Sequence, residues 1–148
     1  MKMHVITYGL GGQFDASKFK PIKNQMHVKP LGGLWASPVD SECGWKQWCE
    51  AESYGNLSVS FSYYVDGKFL VIDSVADLNK FQWKTFYDVI KYPDYEAVVR
   101  AGYDAIYLTE RGQNATRFSQ PSLYGWDCEC VLILNPHCVQ VPQPTPAA

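Results

Sequence analysis

The chain of 148 residues lacks long apolar runs and lacks an excess of either charge. No segment approaches the roughly 18 apolar residues that cross a bilayer, and residues 1–5 lead into glycine-rich polar sequence, not into the apolar core of a signal peptide. The formal net charge is −2, and Lys and Arg are scattered without a basic stripe. We therefore predict a cytoplasmic protein that contacts no membrane, and we expect no binding to duplex DNA.

The sequence also lacks a cysteine pattern typical of disulfide scaffolds or zinc sites. The five cysteines are Cys43, Cys49, Cys128, Cys130 and Cys138. Their number is odd, and no C-x2-C pair occurs among them. We predict free, buried thiols and no metal. One alternative stays open at this point, namely a cysteine-dependent enzyme or a metal protein that uses Cys128, Cys130, Cys138 and His137.

Length and pattern predict the fold class. A chain of this size forms one domain, which we place at residues 1–140, and residues 141–148 carry prolines typical of an extended, flexible tail. Short strands outnumber short helices without regular alternation, so we predict an α+β fold. The predicted strands are 2–8, a short strand that ends at Pro38, 69–72, 105–108 and 126–134. Helices are predicted within 41–54 with a cap at Ser41, at 75–79, and at 95–101 after Asp94, whereas 110–115 is predicted to be a turn.

The most informative segment is the run LYGWDCECVLILN at residues 123–135. Side chains alternate along a strand, so Asp127 and Glu129 are predicted to share one face and Cys128 the other. The apolar residues that follow are expected to be buried, so the two carboxylates would lie where a core strand emerges. The alternative interpretation is a solvated strand end. Upstream, His27 and Lys29 lie in a polar loop where either could meet a diphosphate, although a plain surface role is favoured for both.

Three separated pieces resemble the three-motif layout of the ADP-ribosyltransferase fold. They are Thr7-Tyr8-Gly9, Trp35-Ala36-Ser37 and Asp127-Cys128-Glu129. The similarity extends through residues 102–107 and the aromatic loop 118–126, and it suggests a small bacterial or phage-type member. The resemblance implies two packed, small, mostly antiparallel sheets with short helices. It also implies NAD+ as substrate, no metal, and an acceptor that is a protein or a nucleic acid.

The resemblance assigns a role to each matching position. Glu129 would be catalytic, and Asp127 would help to select the acceptor. Ser37 would support the glutamate, and Tyr8 and Gly9 would hold the nicotinamide amide. Aromatic candidates for stacking on the nicotinamide ring are Tyr8, Trp35 and Tyr124.

The chain departs from the family pattern at the first and the middle motif. Tyr8 stands where many members have the Arg or His that braces the ribose or the phosphates, and Ala36 and Pro38 replace the threonine-serine context. The leading hypothesis is a mono-ADP-ribosyltransferase that modifies a macromolecule, such as a phage effector acting on host systems in the host cytoplasm. The alternative is a non-catalytic nucleotide-binding or inhibitor protein on the same fold.

Overall fold

The computed structural model describes residues 1–142. Within them the chain forms nine strands: β1 (Lys2–Tyr8), β2 (Leu34–Pro38), β3 (Ser60–Asp66), β4 (Phe69–Ile72), β5 (Trp83–Phe86), β6 (Ile90–Pro93), β7 (Ala105–Leu108), β8 (Cys130–Ile133) and β9 (Val139–Gln140). Its α-helices are α1 (Trp45–Glu52), α2 (Tyr95–Arg100) and α3 (Glu110–Thr116). The predicted α+β class is confirmed, and sheet predominates. Most of the predicted tail, residues 143–148, lies outside the described part of the chain.

The main sheet is one continuous sheet, whereas two small packed sheets were predicted. Seven strands follow the order β4-β7-β8-β2-β1-β3-β9, and β5 and β6 form a separate two-stranded sheet. The pairs are antiparallel except for β4 with β7, so the antiparallel prediction is confirmed. Strand β2 explains the continuity, because its first residues pair with β8 and its last two, Ser37 and Pro38, pair with β1.

Both faces of the sheet are covered by apolar side chains. Along β8, Cys130 and Leu132 belong to one core cluster, and Val131 and Ile133 belong to another. This alternation follows from the two-residue period of a strand, and a strand buried on both faces has the continuous apolar sequence seen here. Each fully buried aliphatic side chain of this kind contributes about 1.5–3 kcal/mol to the free energy of unfolding.

Of the local helix predictions, the cap of α2 is confirmed, and the turn at 110–115 and the start of α1 are wrong. Asp94 caps α2, and its side chain accepts a hydrogen bond from the Ala97 N–H as predicted. The turn predicted at 110–115 is wrong, because Thr109 caps a helix there and accepts from the Gly112 N–H. Helix α1 begins later than predicted, at Trp45 after Gly44. The predicted cap, Ser41, lies outside this helix.

Among residues 1–142, no helix is both long enough and apolar enough to cross a bilayer.

Candidate functional site

The three strands next to the motif residues are neighbours in the sheet. Strand β2, which carries Trp35 and Ser37, lies between β1, which ends at Tyr8, and β8, which begins just after Glu129. The register places Ile6 opposite Ser37 and Val131 opposite Ala36. Residues that are far apart in the sequence therefore meet in the middle of the sheet.

Ser37 is buried and connects three elements through one hydroxyl group. Its Oγ donates a hydrogen bond to the backbone carbonyl of Glu129 (2.9 Å) and accepts one from the backbone N–H of Trp45 (2.9 Å). Trp45 is the first residue of α1, where the backbone N–H has no partner within the helix. The hydroxyl thus fixes the start of α1 and the backbone of Glu129 relative to β2.

The carboxylate of Glu129 is largely buried and is held by two hydroxyl groups. Oε1 accepts from Ser41 Oγ at 2.5 Å, and Oε2 accepts from the Tyr107 hydroxyl. The thiol of Cys43 lies 3.8 Å from Oε1. Burial and the neighbouring carboxylate raise the pKa of the Tyr107 phenol, so this group stays protonated and donates. Burial also raises the pKa of the Cys43 thiol.

Sequence reasoning missed Ser41, Cys43 and Tyr107 as partners of Glu129. Ser41 was interpreted as a helix cap, although its Oγ accepts from the Cys43 N–H and donates to Glu129. The sequence does indicate a polar partner for Tyr107, because this residue sits between Ile106 and Leu108 in an apolar strand. A lone phenol in such a strand usually finds a polar partner when it is partly buried.

Asp127 lies apart from this arrangement. The predicted strand 126–134 is wrong at its start, because β8 begins at Cys130 and both acids precede it. Asp127 therefore does not follow a strand alternation shared with Glu129. Its carboxylate pairs with Lys29, with Nζ to Oδ2 at 3.4 Å, and both side chains are about one-third exposed.

A cavity of about 420 Å³ opens beside β1 and β2. Four of the predicted site residues line it: Tyr8, Trp35, Ser37 and Asp127. The other walls come mainly from Lys29, Trp45, Trp126, Cys128 and Cys130. The cavity therefore combines indole walls with one ion pair.

The remaining predicted site residues lie elsewhere. Glu129 is not among the residues that line the cavity within the described chain, and neither are Gly9 and Tyr124. The Gly9 N–H donates to the Val59 carbonyl at 2.8 Å, and its φ of 91° suits a glycine. Tyr124 is exposed and packs against Phe118, with ring centroids 5.8 Å apart.

The indole walls are fixed by hydrogen bonds and ring contacts. Trp35 and Trp126 meet edge to face with centroids 4.8 Å apart. The Trp126 Nε1–H donates to the Val28 carbonyl at 2.8 Å, and the Tyr95 hydroxyl donates to the same oxygen. Lys29 Nζ lies 5.9 Å from the Trp35 ring centroid, within reach of a cation–π interaction.

Two thiols, Cys128 and Cys130, also line the cavity. The five cysteines are free in the structure. A hydrogen bond with Cys130 lowers the pKa of Cys128, whereas burial raises the pKa of Cys130. In residues 1–142, no cluster of three or more His, Cys, Asp or Glu side chains is arranged to hold a metal ion.

Comparisons with protein-family models, with curated protein sequences and with solved structures gave no match.

Proposed function

We propose that this protein is an NAD+-dependent mono-ADP-ribosyltransferase that modifies a macromolecule. The observation that carries the proposal is that the three motifs lie next to one another in the sheet. Their strands are adjacent in the order β8-β2-β1, and the Ser37 hydroxyl bonds to the backbone of Glu129. Motifs separated by about 30 and 90 residues in the sequence thus converge on one part of the sheet.

Cleavage of the bond between ribose and nicotinamide requires a fixed carboxylate and does not require a strong general acid. The bond between the ribose C1′ and the nicotinamide nitrogen breaks with its electron pair going to nicotinamide, which leaves as a neutral molecule. Positive charge develops on the sugar, as in glycoside hydrolysis. The acceptor nucleophile then forms the new bond to C1′ and releases its proton. Glu129 stabilises the positive charge through the ribose 2′-hydroxyl, and one such preorganised group contributes about 3–4 kcal/mol.

The surroundings of Glu129 suit this role. A carboxylate offers about four lone-pair positions; Ser41 and Tyr107 occupy two of them, and the Cys43 thiol contacts Oε1 as a weak donor. The position left open can accept a ribose hydroxyl once the substrate reaches past the residues that line the cavity, because Glu129 is not among them. The two hydroxyl groups also fix the orientation of the carboxylate before substrate binds, which is the condition for electrostatic preorganisation.

The test is release of nicotinamide and transfer of label from NAD+ labelled in its ADP-ribose part. The wild-type protein should release nicotinamide and label an acceptor in a host lysate, and Glu129→Gln should do neither. Glu50→Gln, at an exposed position of α1, is the matched control and should behave as wild type. Absence of both label transfer and nicotinamide release in the wild type contradicts the proposal.

A second candidate is a nucleotide-binding protein without turnover. It is favoured by the contacts of Glu129, whose two carboxylate oxygens are both held by hydroxyl groups and do not line the cavity. In that case NAD+ raises the melting temperature and is recovered intact after hours of incubation. Rapid appearance of nicotinamide excludes this candidate.

A further inference from the structure

We propose that Lys29 binds the diphosphate of a nucleotide in the cavity, and that the bound anion displaces Asp127 from Lys29. This inference rests on the proposed function, because NAD+ carries a diphosphate between its two nucleosides. It assigns a cation that the first motif does not supply, because Tyr8 stands there in place of an Arg or His. Sequence reasoning had favoured a plain surface role for Lys29.

The first argument is the charge of the cavity. Within the described chain, the side chains lining it include one basic group, Lys29, and one carboxylate, Asp127. A diphosphate needs a cation, and charge-assisted hydrogen bonds to phosphate are about twice as strong as neutral ones. Lys29 is the side chain of this cavity that can provide them.

The second argument is the looseness of the ion pair. The Nζ to Oδ2 distance of 3.4 Å exceeds the 2.7–2.9 Å typical of a charge-assisted hydrogen bond. Both side chains are partly exposed, and exposed pairs of this kind contribute little to the stability of a protein. An ammonium group has three donors, so a diphosphate can bond to Lys29 before Asp127 leaves. Exchange of Asp127 for a diphosphate therefore costs little.

The third argument is the rigid backbone around Lys29. The preceding residue, Val28, has its carbonyl held by the buried side chains of Trp126 and Tyr95. The carbonyl of Lys29 itself accepts from Gln25 Nε2 at 2.9 Å. A cation on an ordered segment loses less conformational entropy when it binds a ligand.

The fourth argument is the neighbouring aromatic surface. Lys29 Nζ lies near the face of Trp35, and Trp126 and Trp45 form further walls. Indole walls bind a planar base, and a cation beside them binds a phosphate. The two features together select a nucleotide over an uncharged nucleoside or an inorganic anion.

The experiment compares the binding of ADP-ribose and of adenosine by isothermal titration calorimetry. Lys29→Gln should weaken ADP-ribose binding about tenfold to a hundredfold, the loss expected for a hydrogen bond between charged groups. Adenosine binding should change less than twofold. Asp127→Asn should strengthen ADP-ribose binding, because it removes the competing anion. The control is Lys23→Gln, an exposed lysine of the same loop whose replacement changes the net charge equally and should leave both affinities unaltered.

The outcomes separate this inference from the proposed function. Equal ADP-ribose affinity for the wild type and a folded Lys29→Gln variant overturns the role of Lys29, even if NAD+ is turned over. Lys29-dependent binding of ADP-ribose without release of nicotinamide from NAD+ supports the role of Lys29 and contradicts the transferase. A wild-type protein that binds neither probe and releases no nicotinamide from NAD+ contradicts both. Melting temperatures of the variants establish that each one is folded.

Discussion

The hydroxyl of Ser37 and the backbone carbonyl of Glu129 are joined by a hydrogen bond of 2.9 Å between residues 92 positions apart. The bond connects the end of β2 with the segment that precedes β8. It holds the backbone of Glu129 and leaves the carboxylate free to contact Ser41 and Tyr107. Ser37 thus positions Glu129 through the backbone and does not contact the carboxylate.

Replacement of Ser37 by alanine should lower the free energy of unfolding by at least about 2 kcal/mol. The change leaves the buried Glu129 carbonyl and the Trp45 N–H without their partner, and each unsatisfied buried group costs about 1–3 kcal/mol. Urea denaturation measures the loss. Ser62→Ala, at an exposed position of β3, should stay within about 0.5 kcal/mol of the wild type. Equal stability of the two variants would show that the Ser37 bonds contribute nothing.

Replacement of Glu129 by glutamine should reduce nicotinamide release at least about a hundredfold, because it removes the charge that stabilises the developing cation. The carboxamide oxygen accepts from one of the two hydroxyl groups, and its NH2 group can donate to the oxygen of the other, so the melting temperature should fall far less than the activity. NAD+ affinity should fall less than turnover. A parallel loss of melting temperature and activity would assign Glu129 a structural role.

Replacement of Gly112 by alanine should destabilise the protein, although alanine is the better helix former by about 1 kcal/mol. A Cβ at this position of α3 would overlap the backbone carbonyl of Ile72, which cannot move without disturbing β4. The matched control is Asn114→Ala, at an exposed position of the same helix, which should be neutral or stabilising. The measurement is the melting temperature of both variants. A stabilised Gly112→Ala variant contradicts the close packing of α3 on β4.

The acid sensitivity of the fold should depend on Asp94. Burial opposes ionisation of this carboxyl, but hydrogen bonds from Asn24 and the Ala97 N–H keep its pKa below the ordinary value. A depressed folded-state pKa contributes stability that is fully present above the unfolded value of about 3.9 and is lost as the pH falls through the folded value. Unfolding free energies measured between pH 7 and pH 2 should therefore decline at the acid end.

Asp94→Asn is the variant for this measurement. Asparagine is also a good helix cap, so α2 should form. The variant should show a smaller decline of stability between pH 4 and pH 2 than the wild type, whereas Asp66→Asn, at an exposed position of β3, controls for the change in net charge. A decline as steep as that of the wild type contradicts the role of Asp94.

Much of the fold could be predicted from local sequence. Strands β1, β4 and β7 have the predicted bounds, and the apolar runs of β4 and β7 are too short to form a helix. Helix α2 was predictable from Asp94 at its start. Strand β3 was not predicted, although its inward residues Tyr63 and Val65 follow the two-residue period typical of a half-buried strand.

The site was harder to predict because its geometry depends on where one strand begins. The alternation rule placed Asp127 and Glu129 on one face, but the chain leaves the strand before Cys130 and the rule no longer applies. The partners of Glu129 come from a loop and from β7, and no local pattern connects them. The structure does bring Tyr8, Trp35 and Ser37 to one cavity, because β1 and β2 are adjacent strands.

The carbonyl oxygen of Val28 anchors the loop beside the cavity to Trp126 and Tyr95. Every residue type carries a backbone carbonyl, so these hydrogen bonds need no particular side chain in the loop, while the Val28 side chain packs against the core. Mutations in the loop can therefore alter the groups that face a ligand while the loop keeps its path. Evolution and protein engineering can both use this separation, which allows the chemistry of the cavity wall to change without a new fold.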